Sequence, residues 1–350
     1  MDLAILTGIH VYAEFSHQSR GLMKRISTTL VLCLVTAFVS AASTRPHSAP
    51  SAAPPSTRRQ VAVTFDDLPV VSVTRIGDDA YHEITTKLVA TITRHKVPAI
   101  GFVNERKLYR GGDNARDEAR VALLRAWTTA GLELGNHTYS HPDLHTTPLA
   151  AFQEDVIRGE AVTTMLLGER ARKLRYFRHP FLHTGRDLTT KNNFEVFLAA
   201  RGYRVAPVTI DNSDWIFASA YAKATERGDT RMMKRIADAY VPYMEAMFEF
   251  FEKLSIDLVG YEAKQVLLLH ANALNADHFD RLAQMMRRRG YTFITLDEAL
   301  QDKVYALPDT YTGAGGLSWL HRWARTKGMA RRDEPDTPEF VMRQAGVTVE

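Results

Sequence analysis

Seven short apolar runs, each bordered by glycine, proline or polar residues, constrain this chain more than any other feature. They read VAVTF at 61–65, AIGFV at 99–103, LELGN at 132–136, LRYFR at 174–178, YRVAPV at 203–208, VLLLH at 266–270 and YTFITL at 291–296. Runs of this length and polarity are the signature of buried strands. Longer helical patterns separate them, such as DDAYHEITTKLVATITRHK after the first run. Another is TTKNNFEVFLAARG after the fourth, ending at Gly202, a suitable helix C-cap. Strand-helix alternation in one direction implies parallel strands joined by crossover helices. The expected fold is α/β, a distorted (β/α)7 barrel related to the TIM barrel.

The barrel domain is expected over 61–304, with a helical insertion at about 220–264. The Met and Phe residues of that insertion, on helical spacing, are assigned to the core. Residues 305–350 form a C-terminal extension: a turn-rich stretch, a short amphipathic helix around SWLHRWARTKG, and a polar, loosely held end.

The first 60 residues have a different character. From Met23 the order is Lys24 and Arg25, an apolar run from about Leu30 to Val39, then small residues around Ala41 and Ala42. That is the layout of a secretory signal peptide, too short for a comfortable membrane span. Residues 1–22 fit no targeting pattern, so Met23 is the expected start. Residues 43–60, rich in Ser, Pro and Ala, read as a flexible tether. The expected location is outside the cell membrane, in the periplasm, the envelope or the medium, with no stable span after cleavage. The only cysteine, Cys33, lies in the apolar run and leaves with it. A metal in the mature chain must therefore be held by His, Asp or Glu. A net charge of +4 and the absence of any block of five or more consecutive like charges give no footprint of a nucleic-acid partner.

Polar residues gather where the runs end. Asp66 and Asp67 follow the first run, His137 and His141 the third, and Arg178 closes the fourth. Asp211, Asp214 and Trp215 follow the fifth, and His270 closes the sixth. In parallel α/β barrels the active site lies at the C-terminal ends of the strands, so five strands deliver acid, base or ligand candidates to one rim. Taken singly each has an ordinary explanation: paired aspartates cap turns, and a histidine closing an apolar run is often a core residue. The HxxxH spacing puts both imidazoles on one side, where they can share a metal.

The ordered set resembles the polysaccharide deacetylase family, the NodB-homology domain of carbohydrate esterase family 4. The residues that carry the resemblance are TFDDLP at 64–69, HTYSH at 137–141, RHPF at 178–181, DNSDW at 211–215 and LLH at 268–270. It implies roles residue by residue. Asp66 is the base, and Asp67, His137 and His141 are metal ligands. Arg178 orients the base, and Asp214 tunes His270, the general acid. Trp215 and Leu268 wall a pocket for the acetyl methyl group, and the backbone N–H near Phe181 helps bind the oxyanion. Zinc suits two imidazoles and a carboxylate, and cobalt or nickel binds the same donors.

The substrate class so implied is an N-acetylated glycan: chitin oligosaccharide, peptidoglycan or exopolysaccharide. An O-acetyl ester or another amide is the alternative within enzymes, and an inactive carbohydrate-binding module the alternative outside them. Two further expectations attach to the loops. The family pattern has glycine after the paired aspartates, and this chain has Leu68. Leucine provides neither the backbone freedom nor the close approach of glycine, so the loop is expected to differ there. His145, His179 and His183 are assigned to the pocket rim.

Overall fold

A computed structural model describes residues 59–110 and 115–347. The expected signal peptide, and the tether up to residue 58, lie outside the described residues. The chain runs β1 (Arg59–Leu68), α1 (Asp78–Arg94), β2 (Ile100–Val103), a small antiparallel pair β3 (Tyr109–Arg110) and β4 (Ala115–Arg116), then α2 (Glu118–Thr129) and β5 (Glu133–Asn136). Next come α3 (Leu149–Arg158), α4 (Ala161–Gly168), β6 (Tyr176–Phe177), α5 (Leu188–Ala200) and β7 (Arg204–Val205). The rest is α6 (Asp214–Glu226), α7 (Thr230–Val259), β8 (Gln265–His270), α8 (Ala273–Arg288), β9 (Tyr291–Phe293), α9 (Leu296–Ala299), α10 (Trp319–Thr326) and α11 (Glu339–Ala345).

Seven of these strands form one parallel sheet in the order β7-β6-β5-β2-β1-β8, with β9 on the first residues of β1. It curls into a distorted α/β barrel because one stretch of chain changes neighbours. Arg204 and Val205 pair with Tyr176 and Phe177 of β6. A few residues later Ile210 N–H donates to Val266 O at 3.0 Å and Leu268 N–H to Ile210 O at 3.1 Å. The segment 204–210 is thus the seam that joins the sheet's two ends.

Alternation along the strands sorts side chains into two sets. Val61, Val63, Phe65, Leu267 and Leu269 point outward into the main apolar cluster beneath the helices. Ala62, Ile100, Phe102, Tyr176, Ala206 and Val266 form a second cluster that fills the barrel. Gly135 is required in this second layer, since a Cβ there would come within 2.4 Å of the Phe102 ring.

Three expectations about boundaries are corrected. β1 begins at Arg59, inside the expected tether, because Arg59 and Gln60 pair with β9 and the Arg59 guanidinium binds Glu262 at 2.6 and 2.8 Å. The helical stretch after Trp215 starts earlier, at Asp214 itself. The expected loose end instead contains α11, which packs on α6 through buried Val341 and Ala345. Most of the polar residues that suggested looseness precede that helix, in the exposed stretch from Arg331 to Asp336. Met244, Met247, Phe248 and Phe251 of α7 are fully buried, and Met232, Met233 and Phe250 are half-buried against the same core.

Candidate active site

Extending the inward-facing set by one more step along each strand leads to the site. Thr64 and Asp66 follow Ala62 on β1, Leu268 and His270 follow Val266 on β8, His137 comes just after β5, and Arg178 just after β6. Asp66 and His270 are register partners across β1 and β8.

Consecutive residues of a regular strand face opposite ways, so Asp66 and Asp67 need a device to act together. The β1–β2 register shifts between Phe65 and Leu68, and Asp67 there has φ 68°. This bulge turns both carboxylates to the barrel mouth. Leu68 itself is fully buried and is absent from the positive-φ positions; the left-handed residue is Asp67. Leu68 fits because β2 offers Gly101 opposite, where a Cβ would lie 2.3 Å from Leu68 Cδ2.

The histidine loop is tightly laced. Thr138 and His141 both adopt positive φ, 67° and 60°. Asn136 Oδ1 accepts from Thr138 N–H at 2.6 Å, and Asn104 Nδ2 donates to His137 O at 2.6 Å. The Asp155 carboxylate of α3 accepts from the N–H groups of Tyr139 and Ser140, both at 2.9 Å. Gly159 lets α3 approach, since a Cβ would meet the Thr138 backbone at 2.6 Å.

Donor atoms of Asp67, His137 and His141 all lie within 4.8 Å of one another. His137 Nδ1–H donates to Arg178 O at 2.8 Å, which leaves Nε2 as a lone-pair donor. His141 Nε2 is 3.8 Å from Asp67 Oδ1. Two ligands on a tetrahedral zinc stand about 3.4 Å apart, so this donor set fits a divalent cation with small adjustments. Burial lowers the pKa of both imidazoles and keeps them neutral, as ligation requires. Burial would raise Asp67, but Lys107, His141 and His137 hold its carboxyl far below the ordinary range. Lys107 Nζ donates to Asp67 O at 2.8 Å and lies 3.5 Å from Oδ1.

Asp66 is buried with Oδ1 lacking a hydrogen-bond partner. Arg178 Nε is 3.9 Å from that oxygen, a charge contact, and the guanidinium's hydrogen bond goes to Thr64 Oγ1 at 2.7 Å. The Coulomb argument alone would hold this base low. The balance runs the other way: burial outweighs Arg178 and His270 and raises Asp66 to about 6.

Opposite it, His270 Nδ1 bonds Asp214 Oδ1 at 2.7 Å, and His270 backbone N–H donates to Oδ2 at 2.9 Å. Burial would lower His270, yet Asp214 more than offsets this and raises it to about 9. Asp214 is fully buried and also accepts from Asn275 Nδ2 at 2.9 Å, while Tyr240 Oη donates to Asn275 Oδ1 at 2.9 Å. Asn275, Tyr240, Lys107, Thr64 and Asp155 were not singled out from sequence; isolated polar residues far from their partners carry no spacing signal.

The remaining candidates frame the mouth. Phe181 has φ 56° and its ring stands edge-to-face on His141 at 4.5 Å. Leu268 is buried on β8, and Trp215 is half-buried on the first turn of α6. Asp211 is half-buried, and burial raises it to about 6. His179 is not at the rim: it is buried 5.1 Å from the Phe177 ring and 5.4 Å from Phe194, a core position set by the outward phase of residue 177. His183 and half-buried His145 stack 3.7 Å apart.

Residues 53–195 match the family model described as polysaccharide deacetylase. Over those residues the chain is similar to the polysaccharide deacetylase family. The match stops before β7, so the Asp214–His270 pair stands beyond it. A peptidoglycan-N-acetylglucosamine deacetylase of Bacillus cereus is 26% identical over 166 residues, 47% of this chain and 50% of that protein. The alignment thus spans half the length of that relative. Among solved structures, a family 4 carbohydrate esterase from Streptomyces lividans, in complex with acetate, matches at 20% identity with TM-score 0.42, covering 69% of this chain and 95% of that chain. A family 4 pseudoenzyme from Bacillus anthracis matches at 13% identity with TM-score 0.43, covering 70% of this chain and 66% of that chain. No helix among the described residues is long and apolar enough to cross a membrane.

Proposed function

We propose that this protein is an exported, metal-dependent deacetylase that hydrolyses the N-acetyl amide of N-acetylglucosamine-containing glycans. The observation that carries the reading is the pairing of Asp66 and His270 across β1 and β8, beside the donors of Asp67, His137 and His141. Both groups are raised, Asp66 to about 6 and His270 to about 9, so between those values Asp66 is ionised and His270 is charged, the acid–base division such a reaction needs.

A divalent cation bound by Asp67, His137 and His141, with zinc favoured and cobalt or nickel equivalent in donor preference, supplies Lewis-acid polarisation of the acetyl carbonyl and the attacking water. Asp66 takes the proton of that water, and Arg178 keeps its charge compensated. The Phe181 N–H receives the developing oxyanion, while Trp215 and Leu268 enclose the acetyl methyl. The C–N bond then breaks, His270 gives its proton to the departing nitrogen, and Asp214 stabilises the charged imidazole until it does. Products are acetate and the free amino sugar. Chitin oligosaccharide, peptidoglycan and exopolysaccharide share this amide. Export rests on residues 23–42 and places the activity at the cell envelope.

The test is acetate release from defined chitin oligomers and from peptidoglycan, with zinc or cobalt and with a chelator. Release that stops with chelation and returns with metal is expected. Release only from O-acetyl esters moves the assignment to the ester, and binding without release to a carbohydrate-binding role.

A further inference from the structure

We infer that Arg322, on α10 and far outside the family-matched residues, is a positioning residue for the loop that presents the Phe181 N–H. The inference rests on the deacetylase reading for its catalytic consequence, though not for its structural one.

Phe181 and Leu182 both adopt left-handed backbone angles, φ 56° and 55°. Two successive non-glycine residues in that region are strained, and such a conformation persists only where its surroundings over-determine it. Arg322 provides that determination. Its side chain is 1% exposed. Nη1 donates to Leu182 O at 3.2 Å, and Nη2 donates to Thr184 Oγ1. One planar fork thus grips the loop at two points directly after Phe181, a geometry lysine cannot reproduce.

The guanidinium is itself fixed. Nε reaches Asp309 Oδ2 at 2.8 Å, and Asp309 is shared with buried Lys191 of α5 at 2.7 Å. The Trp319 ring lies 4.6 Å from Arg322 Cζ, and Trp319 N–H donates to Val208 O at 2.7 Å. The helix carrying Arg322 is therefore anchored to the barrel seam. A buried arginine with this many partners is costly to assemble for stability alone. The clamp meets the candidate ligands indirectly, through the Phe181 ring 4.5 Å from His141, so a displaced loop is read in turnover at saturating metal.

The test uses Arg322→Lys, with Thr184→Val as a second variant that removes only the loop-side contact, and Val341→Ala in α11 as a comparably buried control. In folded Arg322→Lys and Thr184→Val, amide hydrogen exchange at 181–185 is expected to quicken. Zinc content at saturating metal should stay at the wild-type value, and kcat measured there should fall by about 10²-fold with KM nearly unchanged, as loss of an oxyanion donor does. Val341→Ala should lower the melting temperature without moving kcat. Unchanged exchange, or a kcat within about twofold of wild type in a folded variant, overturns the inference. Should Arg322→Lys not fold, Thr184→Val decides. If the wild-type chain releases no acetate, the deacetylase reading fails on its own, and exchange at 181–185 alone decides the clamp.

Discussion

Leu68 and Gly101 should behave as one unit. A methyl at Gly101 would lie 2.3, 3.0 and 3.2 Å from Cδ2, Cδ1 and Cγ of Leu68. Leu68 is fully buried and has no solvent to swing into. Overpacking of this kind costs about 1–3 kcal/mol. Leu68→Ala removes all three clashing atoms and opens a cavity, at about 2–5 kcal/mol. In the double variant the new methyl enters that cavity and meets none of those atoms. It should therefore be no less stable than Leu68→Ala alone, and by about 0.8 kcal/mol more stable if the methyl is fully buried. The coupling energy is then at least the whole cost of Gly101→Ala, within the range seen for residues in contact. Equilibrium urea unfolding of the four proteins, read through Trp127, whose ring packs 5.7 Å from Phe65, measures it. Because Leu68 follows Asp67 directly, Gly101→Ala should also weaken zinc binding, and the double variant should recover part of it. Additive losses, or a Gly101→Ala cost below about 0.5 kcal/mol, would falsify the claim that Gly101 makes room for Leu68.

Two further outcomes concern the proton transfers. His270 is charged below about 9, so turnover should fall as pH rises through that value. Any stability from its pairing with Asp214 is likewise present at low pH and lost through the same range, the sign for a histidine raised above its unfolded value of about 6.5. Asp214→Asn should move the basic limb of the kcat profile below about 7; a limb that stays put removes His270 from the acid role. Asp66→Asn should keep the metal and lose about 10²–10⁴ in turnover, measured by metal content and acetate release side by side. Activity that persists while metal is lost would exchange the roles of Asp66 and Asp67.

Much of the fold was legible because barrel strands buried on both sides are apolar at nearly every position, and VAVTF or VLLLH announces itself without a partner. The site was legible for a related reason. Polar residues such as Asp66 and His270 end those runs, and strand ends in a parallel barrel share one mouth. What escaped was whatever depends on pairing across distance. Asn275 and Tyr240 support Asp214 from two other helices, and no local pattern marks either. Lys107 follows a strand that ends without a motif. His179 was misplaced because Arg178 beside it faces the lumen, and a single step along the chain reverses the side. The fate of Leu68 was invisible for the same reason: its fit is decided by a glycine on the neighbouring strand.

The seam at 204–210 divides the chemistry into two halves with different backing. Asp66 and Asp67 stand at the bulge of β1, and His137 and His141 in the loop after β5, two strands laced together through β2. Asp214, which holds the proton donor in its charged form, hangs just past the stretch that crosses from one neighbour to another. On the deacetylase reading, lengthening or shortening that stretch is expected to alter proton delivery to the leaving nitrogen more than binding of a cation by Asp67, His137 and His141.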